Sequence, residues 1–359
     1  MKKLTSKLKR SKKSEKPSRI TNETVAEHRE RILAGGRRFK YPVQYTKHRL
    51  VWTAIAIGFV VLSLFLAVSW WQLYQARTTD AFYYRVTRIL PLPVAQVDGS
   101  YVQYGDYLLN YKKAETYLNT AEKANEAQYA GGAGGQSIYD YHKAQAMSDA
   151  VTDTYAQKLA DDYDITITDK QIDDAFVLTR KLSNGTQISQ EVVDRSNEQF
   201  FGLTPADSRY LMKKSLLRNA VSYQVDDSAK RAATDIENIL KKDPATSFDA
   251  IVEQQNKRAA DSVQVATTGW VKKTSPDGGI TEAASKLEKG QISGPIKPAK
   301  GDGYYFIRLL DVNTQDEINY QFIKVSLKEF KQQIDSLKQS GKITYYITVP
   351  EVQSQAQTN

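Results

Sequence analysis

The sequence predicts an α+β protein carried on a single-pass transmembrane helix: a mainly helical segment follows the apolar helix, then a smaller α+β segment with a small sheet. Three observations lead there. The run Leu50 to Trp71 is apolar, uninterrupted and free of charge. Between residues 104 and 217, apolar residues recur at steps of three and four, the helical period. After residue 220, short alternating runs separated by glycine turns take over. At about 1.5 Å per residue the apolar run spans ~33 Å as a helix, enough for a hydrocarbon core of about 30 Å. Trp52 lies near one end and Trp70 and Trp71 at the other, where indoles favour the membrane interface.

Charge orients the run. Residues 30–49 hold Arg31, Arg37, Arg38, Lys40, Lys47 and Arg49, whereas residues 72–91 hold only Arg77, Arg85 and Arg88. Residues 1–49 carry 16 Lys or Arg against four Glu, so the basic balance of the chain belongs to this head. Basic flanks stay cytoplasmic, which places the head inside and residues 72–359 outside the cytoplasmic membrane. Ala67-Val68-Ser69 offers a competing cleavage pattern, but the basic region and the apolar run both exceed those of a signal peptide. The chain has no cysteine, so neither disulfides nor a lipidated cysteine are available.

In the head, residues 1–20 are Lys-, Ser- and Arg-rich and expected to be disordered. Thr24 to Glu27 reads as a capping box, and Gly35-Gly36 should end the short helix that follows. Binding of a polyanion competes here with a plain topology role, which is favoured because such runs attract any polyanion.

The helical segment, residues 72–219, opens on a strand pair around Asp98-Gly99. A helix from about Tyr104 to Ala127 carries Tyr107, Tyr111, Ala114, Leu118 and Ala121 on one face, and Gly131 to Gly135 breaks it. The next helix, about Tyr139 to Tyr163, has the stripe Met147, Val151, Tyr155 and Leu159. Thr168 with Gln171 caps a third. Thr204, Pro205 and Asp207 open a fourth, with Pro at the first helical position and Asp near the positive end. The picture is a helical domain with exposed Tyr and Ala faces.

Residues 220–315 read as strand Ala220–Val225, helix Asp227–Lys242, a helix beginning at Phe248, strand Thr268–Val271, helix Thr281–Glu288, the turn and strand Gly290–Ile296, and strand Gly303–Val312. Residues 316–359 read as strand Ile318–Val325, amphipathic helix Leu327–Gln339 with Phe330, Ile334 and Leu337, strand Ile343–Val349 and a polar tail.

These residues carry a family resemblance. Val97 to Val102, the segment Lys158 to Asp169 and the segment Leu203 to Leu211, in that order, resemble the N-terminal chaperone domain of SurA/PrsA/PpiD-type extracytoplasmic foldases. Leu287 to Val312, together with the pair Gly269-Trp270, resembles the parvulin peptidyl-prolyl isomerase domain. The two resemblances cover most of residues 94–315. They imply a membrane-anchored foldase whose partners are unfolded, newly exported polypeptides, with no cofactor, no metal and no specific nucleic acid. In such foldases a C-terminal segment often packs back onto the chaperone domain.

One departure matters. Parvulins carry a His in the first strand and another after the Gly-Tyr of the last. Here that last position is Tyr305, and residues 220–225 contain no His. The chain has only His28, His48 and His142, too few outside the membrane for a multi-His zinc site, and a Ser-His-Asp triad would have to use His142. Prolyl isomerisation needs no covalent step: an apolar pocket and a donor to the prolyl nitrogen lower a barrier of about 20 kcal/mol. The resemblance therefore offers Tyr305 and Asp261 as catalytic candidates and Ile280, Leu287 and Trp270 as the pocket wall. Each also has a plain reading: Tyr305 as a half-buried strand residue, Asp261 as a solvated loop charge, Ile280 and Leu287 as core, Trp270 as structural. The alternatives are a non-catalytic chaperone or scaffold on a degenerate parvulin domain, and a membrane adaptor protein.

Overall fold

The structure, a computed structural model, describes residues 21–40, 43–121, 138–257 and 262–350. The residues expected to be disordered at 1–20, the glycine run 131–135 and the candidate Asp261 lie outside the described residues. The chain divides into two units, Met1–Trp71 and Gln72–Asn359.

The first unit holds helices α1 (Asn22–Lys40) and α2 (Val43–Trp70). Helix α1 starts ahead of the expected cap: the Thr21 N–H donates to the Thr24 hydroxyl oxygen at 2.9 Å, and that hydroxyl donates to the Thr21 carbonyl at 2.7 Å. It also continues through Gly35 and Gly36, which were expected to end it. A helical glycine costs only about 1 kcal/mol relative to Ala, so without a proline or a rival cap the helix persists. The stretch His48–Gln75 is long and apolar enough to cross a membrane.

In the second unit, α3 (Ala81–Ile89) leads to a hairpin, β1 (Pro93–Val97) and β2 (Ser100–Gln103), turning at Asp98 and Gly99, whose φ of 88° suits glycine. Helices α4 (Tyr104–Ala121), α5 (Ile138–Asp162), α6 (Asp169–Thr179), α7 (Gln190–Phe201) and α8 (Pro205–Val225) follow. The two capping boxes form as the sequence requires, Thr168 with Gln171 and Thr204 with Asp207. Met147, Val151, Leu217 and Val221 bury one stripe each of α5 and α8, and fully burying such side chains contributes roughly 1.5–3 kcal/mol apiece.

The Tyr and Ala faces are buried, not exposed. Tyr104, Tyr107, Tyr111 and Tyr155 pack with Ala146, Ala150 and Ala156 in the helical core. Alanine lets helices approach closely, and several tyrosine hydroxyls find partners inside. Tyr104 donates to the Leu73 carbonyl at 2.7 Å, and Tyr84 to the Asp207 carboxylate at 2.8 Å.

The chain then enters a second layer: α9 (Asp227–Lys242), α10 (Phe248–Asn256), β3 (Val263–Lys272), short α11 (Ile280–Ala284), β4 (Ile292–Ile296), β5 (Gly303–Val312) and β6 (Glu317–Ser326). The four strands form one antiparallel sheet in the order β3-β6-β5-β4. The strand expected at Ala220–Val225 is instead the last turns of α8. Leu217 and Val221, four residues apart, are buried in the helical core, and that period overrides the short alternation. The end of β6 meets the start of α9, and the two are tied by fully buried Asp226. Its carboxylate accepts from the Ser228 hydroxyl (2.7 Å) and from the N–H groups of Ala229 (2.8 Å), Lys328 (2.7 Å) and Glu329 (3.0 Å).

After β6 the chain returns to the helical body. In α12 (Glu329–Gln339), Phe330, Ile334 and Leu337 join the helical core. Strand β7 (Ile343–Tyr345) pairs antiparallel with β1, Ala95 opposite Tyr345. The body is thus closed by residues from both ends, with the sheet layer inserted between.

Candidate functional site

The two faces of the sheet have different covers. Tyr304, Phe306, Ile323 and Val325 pack beneath α9 and α10. Tyr305, Ile307, Leu309, Ile318 and Tyr320 face the other way, under Ile280 and Ala284 of α11, with Leu287, Ile296 and Phe322 at the margin. The alternation of β5 and β6 produces this division, successive side chains pointing to opposite faces.

Three of the sequence candidates therefore meet: Tyr305, Ile280 and Leu287. Trp270 stands on the outer strand β3, 49 % exposed and outside that cluster. Sequence reasoning missed six further members. The Tyr305 hydroxyl donates to Asp302 at 3.0 Å, and the Lys324 ammonium donates to the same carboxylate oxygen at 2.7 Å. The Phe322 ring lies 5.6 Å from that of Tyr305, centroid to centroid. Across the face, the Tyr320 hydroxyl lies 2.8 Å from that of Thr281 and donates to Asp277 at 3.1 Å. Asp277 also accepts the Thr281 N–H, at 2.9 Å to one oxygen, which fixes the entry to α11. The signal for Asp302 and Tyr305 was their spacing of three across a glycine turn. For Phe322 and Lys324 it was the alternation of a strand that had not been assigned to this sheet.

The electrostatics make Tyr305 a neutral phenol. Burial raises its pKa, and its hydrogen bond to Asp302 raises it further. Burial also pushes the Asp302 carboxyl up, but the hydrogen bonds from Lys324 and Tyr305 outweigh it and hold the group ionised. This arrangement can donate one hydrogen bond from a phenol and hold an apolar ring. However, Tyr305 is only 4 % exposed, and Ile280 5 %, so the face is closed.

Open space lies beside it. A cavity of about 630 Å³ is bounded by Leu178 in the last turn of α6, Lys181 just after it, Met212 and Leu216 of α8, and the segment Ser275–Gly279 with Glu282. Lys181 and Glu282 pair at 3.3 Å. A second cavity, about 520 Å³, shares Thr179, Met212 and Ser215 with the first and reaches Asp153 and Arg218. Behind it, Asp106 accepts from the Tyr210 hydroxyl at 2.7 Å and pairs with Lys214 at 3.0 Å. Burial pushes the Asp153 carboxyl up, against the pull of Arg218 at 3.3 Å. Among the described residues no group of His, Asp or Glu could hold a metal ion.

No family model matches the chain, and no curated protein matches it.

Proposed function

We propose that the protein is a membrane-anchored extracytoplasmic foldase that holds unfolded, newly exported chains, built on a SurA/PrsA-like helical body with a parvulin-like sheet domain. The observation that carries this reading is the arrangement: a helical body closed by its own C-terminal segment, with a small antiparallel sheet layer inserted between its halves. The apolar helix and the excess of basic residues before it support the anchor and its orientation. The closed face over Tyr305 favours holding over isomerisation, because a prolyl ring must displace Ile280 or Leu287 to reach the phenol. Isomerisation is the second reading, favoured by the grouping of Tyr305, Asp302 and Lys324 on an apolar floor.

The test uses the full chain in detergent micelles. Suppression of aggregation of an unfolded protein is measured beside cis-to-trans isomerisation of a short X-Pro peptide. Suppression alone supports the holding chaperone. Isomerisation that falls in Tyr305→Phe supports the enzyme. Neither effect puts a membrane adaptor in front.

A further inference from the structure

The outer edge of β3 is open, and its geometry is that of a strand waiting for a neighbour. The Ser326 N–H donates to the Ser262 carbonyl at 3.0 Å, so residue 262 directs its backbone groups at β6. In an antiparallel ladder this direction alternates. Gln264 and Ala266 therefore also point inward, while Val263, Val265 and Thr267 point away from the sheet. At Val263 the outward groups are already taken in the way a strand would take them. The Asn256 side-chain amide donates to the Val263 carbonyl at 2.9 Å and accepts its N–H at 3.2 Å. One amide is thus docked on the first position of the edge. The next two positions, Val265 and Thr267, have no partner for their outward groups among the described residues. A bulge follows between Thr267 and Trp270, at Gly269 with φ of 67°.

Open edges are normally blunted by charge, proline or a covering element. From Val263 to Val271 this edge has no charged residue and no proline, and Gln264, Ala266, Thr267 and Trp270 are exposed. We propose that the β3 edge captures an extended segment of an unfolded client chain by strand addition, its backbone bonding to Val265 and Thr267 and its apolar side chains resting near Trp270. This rests on the foldase reading and gives it a mechanism. Main-chain bonding is indifferent to sequence, which suits a protein that must hold many clients.

The test uses the full chain in detergent and, as probe, reduced and carboxymethylated α-lactalbumin, which stays unfolded. Hydrogen exchange read by mass spectrometry should slow at Val265 and Thr267 when the probe is added. Val265→Pro with Thr267→Pro removes two outward N–H groups and leaves the inward ladder to β6 intact. Probe binding should weaken about tenfold, given roughly a factor of three for each of the two backbone bonds lost. Should the prolines disturb folding, Thr267→Asp places a charge on the edge instead and should have the same effect. Undiminished probe binding in a folded variant, with no slowing of exchange in the parent, overturns the inference and leaves the foldase reading standing. Slowing that follows protein concentration without probe identifies a second copy of this chain as the occupant and overturns it too. Failure of the parent to bind the probe at all overturns both.

Discussion

Asp226→Ala should cost more than any other single change at the junction of the two layers. The carboxylate is fully buried and accepts four hydrogen bonds, two from the start of α9 and two from the backbone at the start of α12. Loss of the cap on α9 costs about 1 kcal/mol. The two N–H groups of Lys328 and Glu329 lose a charged acceptor, at about 1.5 kcal/mol or more each. The sum is roughly 4 kcal/mol, and at ~2–4 °C per kcal/mol for a unit of this size the melting temperature should fall by about 10 °C. pH supplies an independent reading. Burial raises the Asp226 pKa, but the hydrogen bonds from Ala229, Glu329, Lys328 and Ser228 outweigh it, and the folded value is lowered. A lowered carboxyl contributes stability that is fully present above its unfolded pKa of about 3.9 and lost as pH falls through the folded value. Thermal melts of the full chain in detergent, from pH 7 to pH 3, should show that loss in the parent and a flatter curve in Asp226→Ala. A fall of less than about 2 °C at pH 7 would show that the two layers are not joined through this residue.

Three further outcomes follow from the same structure. Asp106→Ala strands Lys214, whose pKa burial lowers and Asp106 raises to a net increase; breaking such a pair costs about 3–5 kcal/mol, readable as an earlier urea midpoint. Tyr305→Phe keeps the ring but removes the donor to Asp302, so stability should drop by about 1 kcal/mol; a change in X-Pro isomerisation beyond that would mark the phenol as catalytic. Truncation after Ser340 removes β7 and buried Ile347; the Asp98 N–H loses its acceptor, the Lys342 carbonyl, so amide exchange at Gln96 and Asp98, whose backbone groups face β7, should accelerate while that in β5 stays slow; acceleration in both would mean that the two layers open together.

The helix starts were legible because they are local. Thr168 with Gln171, and Thr204 with Pro205 and Asp207, need only three or four residues to define a cap. The stripe Met147, Val151 and Tyr155 was legible for the same reason. Helix α7 carried no apolar stripe, since it buries none of its side chains, and its local marks, Ser189 accepting the Val192 N–H at its start and left-handed Gly202 at its end, went unread. The sheet was harder. Strand Ile318–Val325 was visible in its alternation, yet nothing local says that it lies between β3 and β5, and Ala220–Val225 offered a closer strand-like run. Of the ten residues of β3 only Thr268–Val271 were read, because an edge strand exposed on both sides of a bulge loses its alternation. The candidate site divides in the same way. Tyr305, Ile280 and Leu287 followed from a resemblance along the chain, whereas Phe322, Lys324 and Tyr320 required the register of β6.

The position of β6 has a consequence for a chain that emerges from its N-terminus. β3 pairs with no earlier strand, so it waits for residues 317–326 before it has any neighbour, and β1 waits still longer for its partner at Tyr345. Each layer is therefore completed by the last part of the chain to appear. The loops that must close are long, and such pairings form slowly. During synthesis, the body would pass through a stage in which its helices have emerged while both sheets still lack a strand.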